Sequence, residues 1–238
     1  YQGTQIDAIA HDRSGDYVII QNGELKCSAD NFTSSAGTNL NDITFNQERS
    51  SFYAVGDNGS VKRSENCIDW STATINNVST NDNPDDNISI AGNNDFIGIV
   101  TGRSNYVVWT DTHIYNQDVN NALEDLRRST FSFGDYTVND IDWYEAEDRF
   151  IGFVEAEYGV TRIEDSSGGH WSNWSGMHSN DGNPFEGIKK IIGGREKLLI
   201  AIPDNNTAGF LYMSLDSDNW TKISNTQGSQ DIFEIHAF

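Results

Sequence analysis

Asp42-Ile-Thr-Phe45, Phe52-Tyr-Ala-Val55, Gly59-Ser-Val-Lys-Arg-Ser64 and Asn66-Cys-Ile-Asp-Trp70 follow one another along the chain, and their order decides how the rest is read. A short apolar strand passes through a polar turn into a second, continuously apolar run. A Gly then opens a third segment that ends on a hydroxyl at Ser64. Continuous apolar runs of this length suit strands covered on both faces. The Gly, Asn, Asp and Ser between them are turn chemistry.

The same order recurs. Opening strands are expected at Ile6-Asp-Ala-Ile9, Asn87-Ile-Ser-Ile90, Asp140-Ile-Asp-Trp143 and Gly187-Ile-Lys-Lys-Ile191, and second strands at Tyr17-Val-Ile-Ile20, Phe96-Ile-Gly-Ile-Val100, Phe150-Ile-Gly-Phe-Val154 and Leu198-Leu-Ile-Ala-Ile202. The interval from Gly59 to Ser64 is matched by Gly23 to Ser28, Gly159 to Glu164, Gly209 to Ser214 and, without the Gly, Asn105 to Thr110. Those starting points lie 36, 46, 54 and 50 residues apart, close to the roughly 40 to 50 of propeller blades. The expected fold is all-β: a five-bladed β-propeller of four-stranded antiparallel blades, forming one domain over residues 1–238. Its modules span roughly 5–40, 41–80, 86–135, 138–180 and 186–225, with 231–238 as a closing strand that repeats the opening one. Between Asp118 and Arg128 a capping residue, helix formers and terminal basic residues predict one short inserted helix.

The chain has 238 residues, 36% of them hydrophobic, enough for one large β core. Its formal charge of −21 opposes phosphate backbones, so nucleic acid is an unfit partner. No apolar run approaches the roughly 20 residues of a membrane helix. Such acidity fits a saline or marine medium, where solvated carboxylates keep a protein soluble. A chain that opens on Tyr1 reads as a processed, exported one. Seven Asn-x-Ser/Thr sequons start at Asn31, Asn58, Asn77, Asn87, Asn173, Asn205 and Asn219, against about four from composition alone. The expectation is a secreted or surface-exposed protein, of a cell or a virion. Cys27 and Cys67 form one disulfide in an oxidising compartment, or stay as two buried thiols.

An acid or amide and then an aromatic follow the hydroxyl of several modules. Ser214-Leu-Asp216-Ser-Asp-Asn-Trp220 and, more loosely, Ser64-Glu-Asn66-Cys-Ile-Asp-Trp70 resemble the Asp-box (BNR) repeats of sialidase-like propellers. Ser28, Asp30 and Trp171 stand at the related places. The resemblance implies a hairpin between third and fourth strands, whose Ser and Asp side chains bond turn amides while the aromatic packs between strands. It marks fold and carries no chemistry.

Sialidases of this kind need three arginines for the substrate carboxylate. Nine arginines are present, but no three read as occupying equivalent module positions. The five histidines show no short metal-ligand spacing. Catalytic residues are therefore not assigned; a five-bladed glycoside hydrolase is the alternative reading and a structural spacer the second. Calcium is the one cofactor considered, through Asp82, Asp85 and Asp86 in a cluster without EF-hand spacing, which equally suits a solvated turn. Loops after second strands and between blades are expected to share one face. They offer Asp57, Arg103, Glu157, Tyr158, Trp174, His178 and Asp204 as ligand-binding residues. Aromatics beside acids and amides suit sugar recognition, the ring packing on a pyranose while polar groups bond its hydroxyls. The leading reading is an extracellular recognition module, lectin-like or an adhesin, whose partner is a glycan or an extracellular protein.

Overall fold

The computed structural model describes residues 6–32, 37–80, 88–89, 95–118, 122–123, 125–128, 137–156, 159–165, 172–174, 188–193, 199–203, 211–215 and 219–223. They divide into two compact units, Tyr1–Thr130 and Phe131–Phe238. Unit 1 holds β1 (Ala8–His11), β2 (Tyr17–Gln21), β3 (Glu24–Cys27), β4 (Leu40–Asn46), β5 (Ser51–Gly56), β6 (Ser60–Ser64), β7 (Ser71–Thr74), β8 (Asn77–Thr80), β9 (Ile88–Ser89), β10 (Gly98–Thr101), β11 (Asn105–Trp109), β12 (Ile114–Asp118) and β13 (Arg127–Arg128). Unit 2 holds β14 (Thr137–Tyr144), β15 (Arg149–Ala156), β16 (Gly159–Asp165), β17 (Ser172–Trp174), β18 (Ile188–Gly193), β19 (Leu199–Pro203), β20 (Leu211–Ser214) and β21 (Trp220–Ile223). Apart from three short 3-10 turns, no helix occurs among the described residues, so the all-β expectation holds.

In unit 1 the sheets run β1-β2-β3, β4-β5-β6-β7 and β10-β11-β12-β13-β8-β9; in unit 2 they run β14-β15-β16-β17 and β18-β19-β20-β21. Strand β5 shows why unit 1 stacks as it does. All six of its residues are buried, and with a side-chain period of two they serve two cores. Phe52 and Ala54 face the first sheet, with Val18, Ile20 and Leu25. Tyr53 and Val55 face the third sheet, with Phe96, Ile99, Tyr106 and Val108.

Two expectations for the third module are corrected. Ile88–Ser89, read as its opening strand, instead pairs with Asn77–Val78 of β8. The strand lying against β4 is β10: the backbone N–H of Ile99 donates to Asp42 Oδ2 at 2.9 Å, and the hydroxyls of Thr44 and Thr101 meet at 3.4 Å. The module is thus one strand out of step with the sequence reading. Thr110 therefore belongs to the β11–β12 turn and has no kinship with Ser64, which closes β6. The inserted helix is also corrected. Leu123 and Leu126, two of its helix formers, are buried in the core between second and third sheets, and Arg127–Arg128, its terminal basic residues, pair with Tyr115 and Asn116 as a strand.

Carboxylates join neighbouring first strands. Asp42 Oδ1 accepts from its own strand at Ile43 N (2.8 Å) while Oδ2 reaches Ile99 N. In unit 2, Asp140 Oδ2 accepts from Ile191 N at 2.8 Å, and Asp142 accepts from Trp143 N and Gly193 N, both at 2.7 Å. Bonds to a charged acceptor are worth about 1.5 to 3 kcal/mol each, and a stranded buried N–H costs nearly as much. We expect Asp42→Ala to lower unfolding free energy by about 3 kcal/mol, and Asp42→Asn, which keeps one acceptor, by about half of that. Urea titration checks this; a loss below about 1 kcal/mol would mean that water replaces the carboxylate.

Candidate functional site

The β5–β6 turn of unit 1 carries Asp57. It closes through Asn58-Gly59, with φ of 57° and 68°, as the β2–β3 hairpin does through Asn22-Gly23 at 52° and 74°. Left-handed backbone at both central positions is what Asn-Gly tolerates and most pairs do not. A side chain at Gly56 would collide with the Asn39 carbonyl, so the turn lies tight against the chain entering β4.

A bulge in β4 between Leu40 and Asp42 supplies the key partner. The extra residue, Asn41, donates through Nδ2 to Asp57 Oδ1 at 3.0 Å and to the Phe96 carbonyl at 2.9 Å. Asp57 N donates to Asn39 O at 2.9 Å, and Phe96 N to Gly56 O at 3.2 Å. On the other side of the turn Asn58 N donates to Asp95 Oδ1 at 2.9 Å. Each carboxylate thus spends Oδ1 on a bond that fixes its orientation, and among the described residues Oδ2 of Asp57 and of Asp95 accepts nothing. Ile97, 43% exposed, adds an apolar surface next to Asp95 and Phe96. The arrangement is a group of fixed acceptors at a wet surface, suited to hydroxyl or amine donors.

The β11–β12 turn opens at the same end of the strands. Its His113 lies 2.9 Å from Thr112 Oγ1. Burial, with the charge of Arg128 adding to it and Asp111 opposing, holds the imidazole below its ordinary pKa, so the ring is neutral at pH 7. Burial likewise pushes the Tyr115 phenol up to about 12.

Arg103 does not join Asp57. Asn46, at the far end of β4, donates to Gly102 O at 2.7 Å and Arg103 O at 3.4 Å, which places Arg103 about 20 Å along the strand from Asp57 at 3.4 Å per residue. The cause is the slipped third module: residues 102–104 join its first and second strands, not its second and third. The same slip hid a recurrence. Arg13, Arg49 and Arg103 each sit in the turn between first and second strands of the three sheets of unit 1, contrary to the reading that no three arginines are equivalent. Arg13 Nη2 donates to Gln47 Oε1 of the next turn and so ties the first sheet to the second, while within that turn Asn46 Oδ1 accepts from Arg49 N at 2.8 Å.

Glu157, Tyr158, His178, Asp204, Trp171 and Asp216 lie outside the described residues, as do Asp82, Asp85 and Asp86. Trp174 belongs to β17, with its backbone opposite Arg162, and so to a strand and not a loop. Among the described residues no group of three His, Cys, Asp or Glu is placed to hold a metal ion. In the turn after Ser64, Asn66 Oδ1 accepts from Ile68 N (3.0 Å) and Asp69 N (2.8 Å), and Trp70 Nε1 donates to Cys67 O (2.9 Å). Ser28 differs, accepting from Tyr17 N at 2.9 Å and donating to Asp16, while Asp30 ends a 3-10 turn. Ser214 and Trp220 are buried. Sequence reasoning missed Asn41 and Asp95. The signal for Asn41 was its recurrence as Asn139 one place before Asp140, at a second bulge.

Sheets of this size, antiparallel but for the β13–β8 pair and stacked through their first strands, define an all-β protein of the β-propeller type, and the comparisons agree. No family model matches the chain, and no curated protein does. Among solved structures it is similar to YCF48 from Cyanidioschyzon merolae, with TM-score 0.59 and 13% identity over 94% of this chain and 72% of that one. It is similar also to the GH74 xyloglucanase from Xanthomonas campestris, with TM-score 0.61 and 11% identity over 92% of this chain. Only 38% of the xyloglucanase is covered, so the chain spans well under half of that protein's length. Both are β-propellers, and at these identities the likeness is one of fold alone.

Proposed function

We propose that the chain is an extracellular recognition module, a five-bladed propeller with Asp-box turns that binds a glycan without turning it over. The observation that carries this reading is the pair of fixed acceptors, Asp57 and Asp95, with exposed Ile97 close by in the chain. Hydroxyl-rich ligands bind such wet, preoriented acceptors well, because bridging waters cost little. The disulfide between Cys27 and Cys67 supports the extracellular half of the proposal. Arg103 and Trp174 are withdrawn from the proposed site by their positions, while Glu157, Tyr158, His178 and Asp204 stay as candidates in unit 2, and calcium as a ligand of Asp82, Asp85 and Asp86.

The second reading, a glycoside hydrolase, is favoured by the named activity of one structural neighbour. A glycan array on the purified chain, with and without Ca²⁺, followed by titration of the best ligand, separates the two. We expect binding without product release, and a loss of at least tenfold in affinity for Asp57→Asn, about 1.4 kcal/mol. Ligand turnover abolished by Asp57→Asn would establish the hydrolase instead.

A further inference from the structure

The turn after β3 keeps an aromatic residue where burial does not explain it. Phe32 follows Ser28 by four residues, where Trp70 and Trp220 follow Ser64 and Ser214 by six. Trp220 is fully buried and Trp70 partly so, yet Phe32 is 37% exposed. Its backbone has φ of 60°, following Asn31 at 56°, and the left-handed region is one that bulky side chains avoid. The conformation is held by two bonds, Asn31 N to Ser28 O at 3.0 Å and Phe32 N to Cys27 O at 2.8 Å. It sets the Phe32 ring 5.4 Å from that of Tyr17, itself 38% exposed, at an interplanar angle of 52°. An aromatic pair is thus built at some conformational cost, and more than a third of each residue is left open to solvent.

The residue next to the pair supplies the cover. Asn31 is exposed, its side-chain amide makes no hydrogen bond among the described residues, and it opens the sequon Asn31-Phe32-Thr33. We propose that Asn31 carries an N-linked glycan and that Tyr17 and Phe32 are the surface its innermost sugars cover. The inference rests on the reading of the chain as exported. In the transfer, the Asn31 side-chain nitrogen attacks the anomeric carbon of an oligosaccharide carried on a polyisoprenyl diphosphate. The C–N bond forms, the C–O bond to the diphosphate breaks with its electron pair, and the amide gives up a proton. Aromatic rings then take the apolar face of the sugar, as they do in sugar-binding sites.

Other described sequons are less apt. Asn77 is tied into β8, its backbone opposite Ser89. Asn219 precedes buried Trp220 and has bonding partners of its own. Asn58 is exposed, but Gly59 follows it, and the exposed Phe and Tyr rings among the described residues are those of Tyr17 and Phe32.

The full chain behind a cleavable leader, translated into eukaryotic microsomes, tests acceptor competence separately from the native compartment, which fractionation of the source would address. Peptide mapping after enzymatic glycan release in heavy-oxygen water reads each sequon. We expect Asn31 to be occupied in most molecules and Asn31→Gln to lose that one glycan. In the protein secreted from a eukaryotic host, the N-acetyl methyl signal of the innermost sugar should be shifted upfield by the rings, and Phe32→Ser, which keeps the sequon, should return it to its free position. An unmodified Asn31, whether or not other sequons are filled, overturns the site; occupancy without the upfield shift overturns the role given to Tyr17 and Phe32.

Discussion

Trp220→Ala is expected to destabilise unit 2 by about 3 to 5 kcal/mol, the usual cost of emptying a buried aromatic site. Trp220 opens β21, pairs with Ser214 across the hairpin and is 0% exposed. Its ring meets Phe153 edge-on, centroids 5.8 Å apart at 65°, a geometry that adds to area burial. Tyr144, Ile151 and Ile191 complete the cluster, so the ring contacts both sheets of the unit. Neither sheet can close a cavity of indole size without giving up its ladder to the other strands. Denaturant unfolding followed by near-ultraviolet circular dichroism checks the figure. A loss below about 1 kcal/mol would show that the site collapses freely, and would release Trp220 for a role at the surface.

Much of the strand content was legible because it rests on local pattern. Phe52-Tyr-Ala-Val55 is apolar at every position, as suits a strand sandwiched between two sheets, and Tyr17-Val-Ile-Ile20 is as continuous although Tyr17 is exposed. The Asn-Gly turns were legible for the same local reason. The third module was not. Phe96 to Val100 and Tyr106 to Trp109 both lack a polar residue, so nothing in either run says which is first and which second. That is settled by Asp42 bonding Ile99 and by Thr44 beside Thr101, contacts 57 residues apart in sequence. The error carried to Arg103, which moved to the other end of the strands. The segment from Asp118 to Arg128 shows a further limit, since a capping residue, helix formers and terminal basic residues also fit a stretch whose leucines reach a core and whose arginines pair as a strand.

The candidate site was legible in part. Asp57 was visible as an acid in a turn after a second strand. Its partner Asn41 was not, because a bulge interrupts the two-residue alternation and the repeat of Asn41-Asp42 as Asn139-Asp140 gains meaning only once both bulges are placed. Asp95 lies 37 residues beyond Asn58 and comes beside it only when β10 docks on β4. Sites made of turns are therefore read one turn at a time from sequence, and their assembly follows from which strand lies innermost.

Loss of the disulfide should be the costliest chemical change to unit 1. Cys27 ends β3 and Cys67 lies in the β6–β7 turn, joining the first and second sheets with Cα atoms 5.8 Å apart, within the usual range for a bridge. The alternative of two free thiols is thereby set aside. Both residues are almost fully buried in one core with Leu25, Phe52 and partly buried Trp70, so the bond adds packing as well as a tether. A separation of 40 residues makes the closed loop worth about 4 kcal/mol through the entropy it removes from the unfolded chain. The double variant Cys27→Ser and Cys67→Ser should therefore lose about 3 to 5 kcal/mol, the hydroxyls costing something further in an apolar core. Urea melts of this variant, and of the parent chain with and without reductant, are the measurement. The reduced parent should approach the variant, and reduction of the native protein should be slow, since neither sulfur is open to a thiolate until the first and second sheets part. Identical midpoints for oxidised and reduced protein would show that the sheets hold each other without the bond, and would remove the strongest structural support for an oxidising compartment.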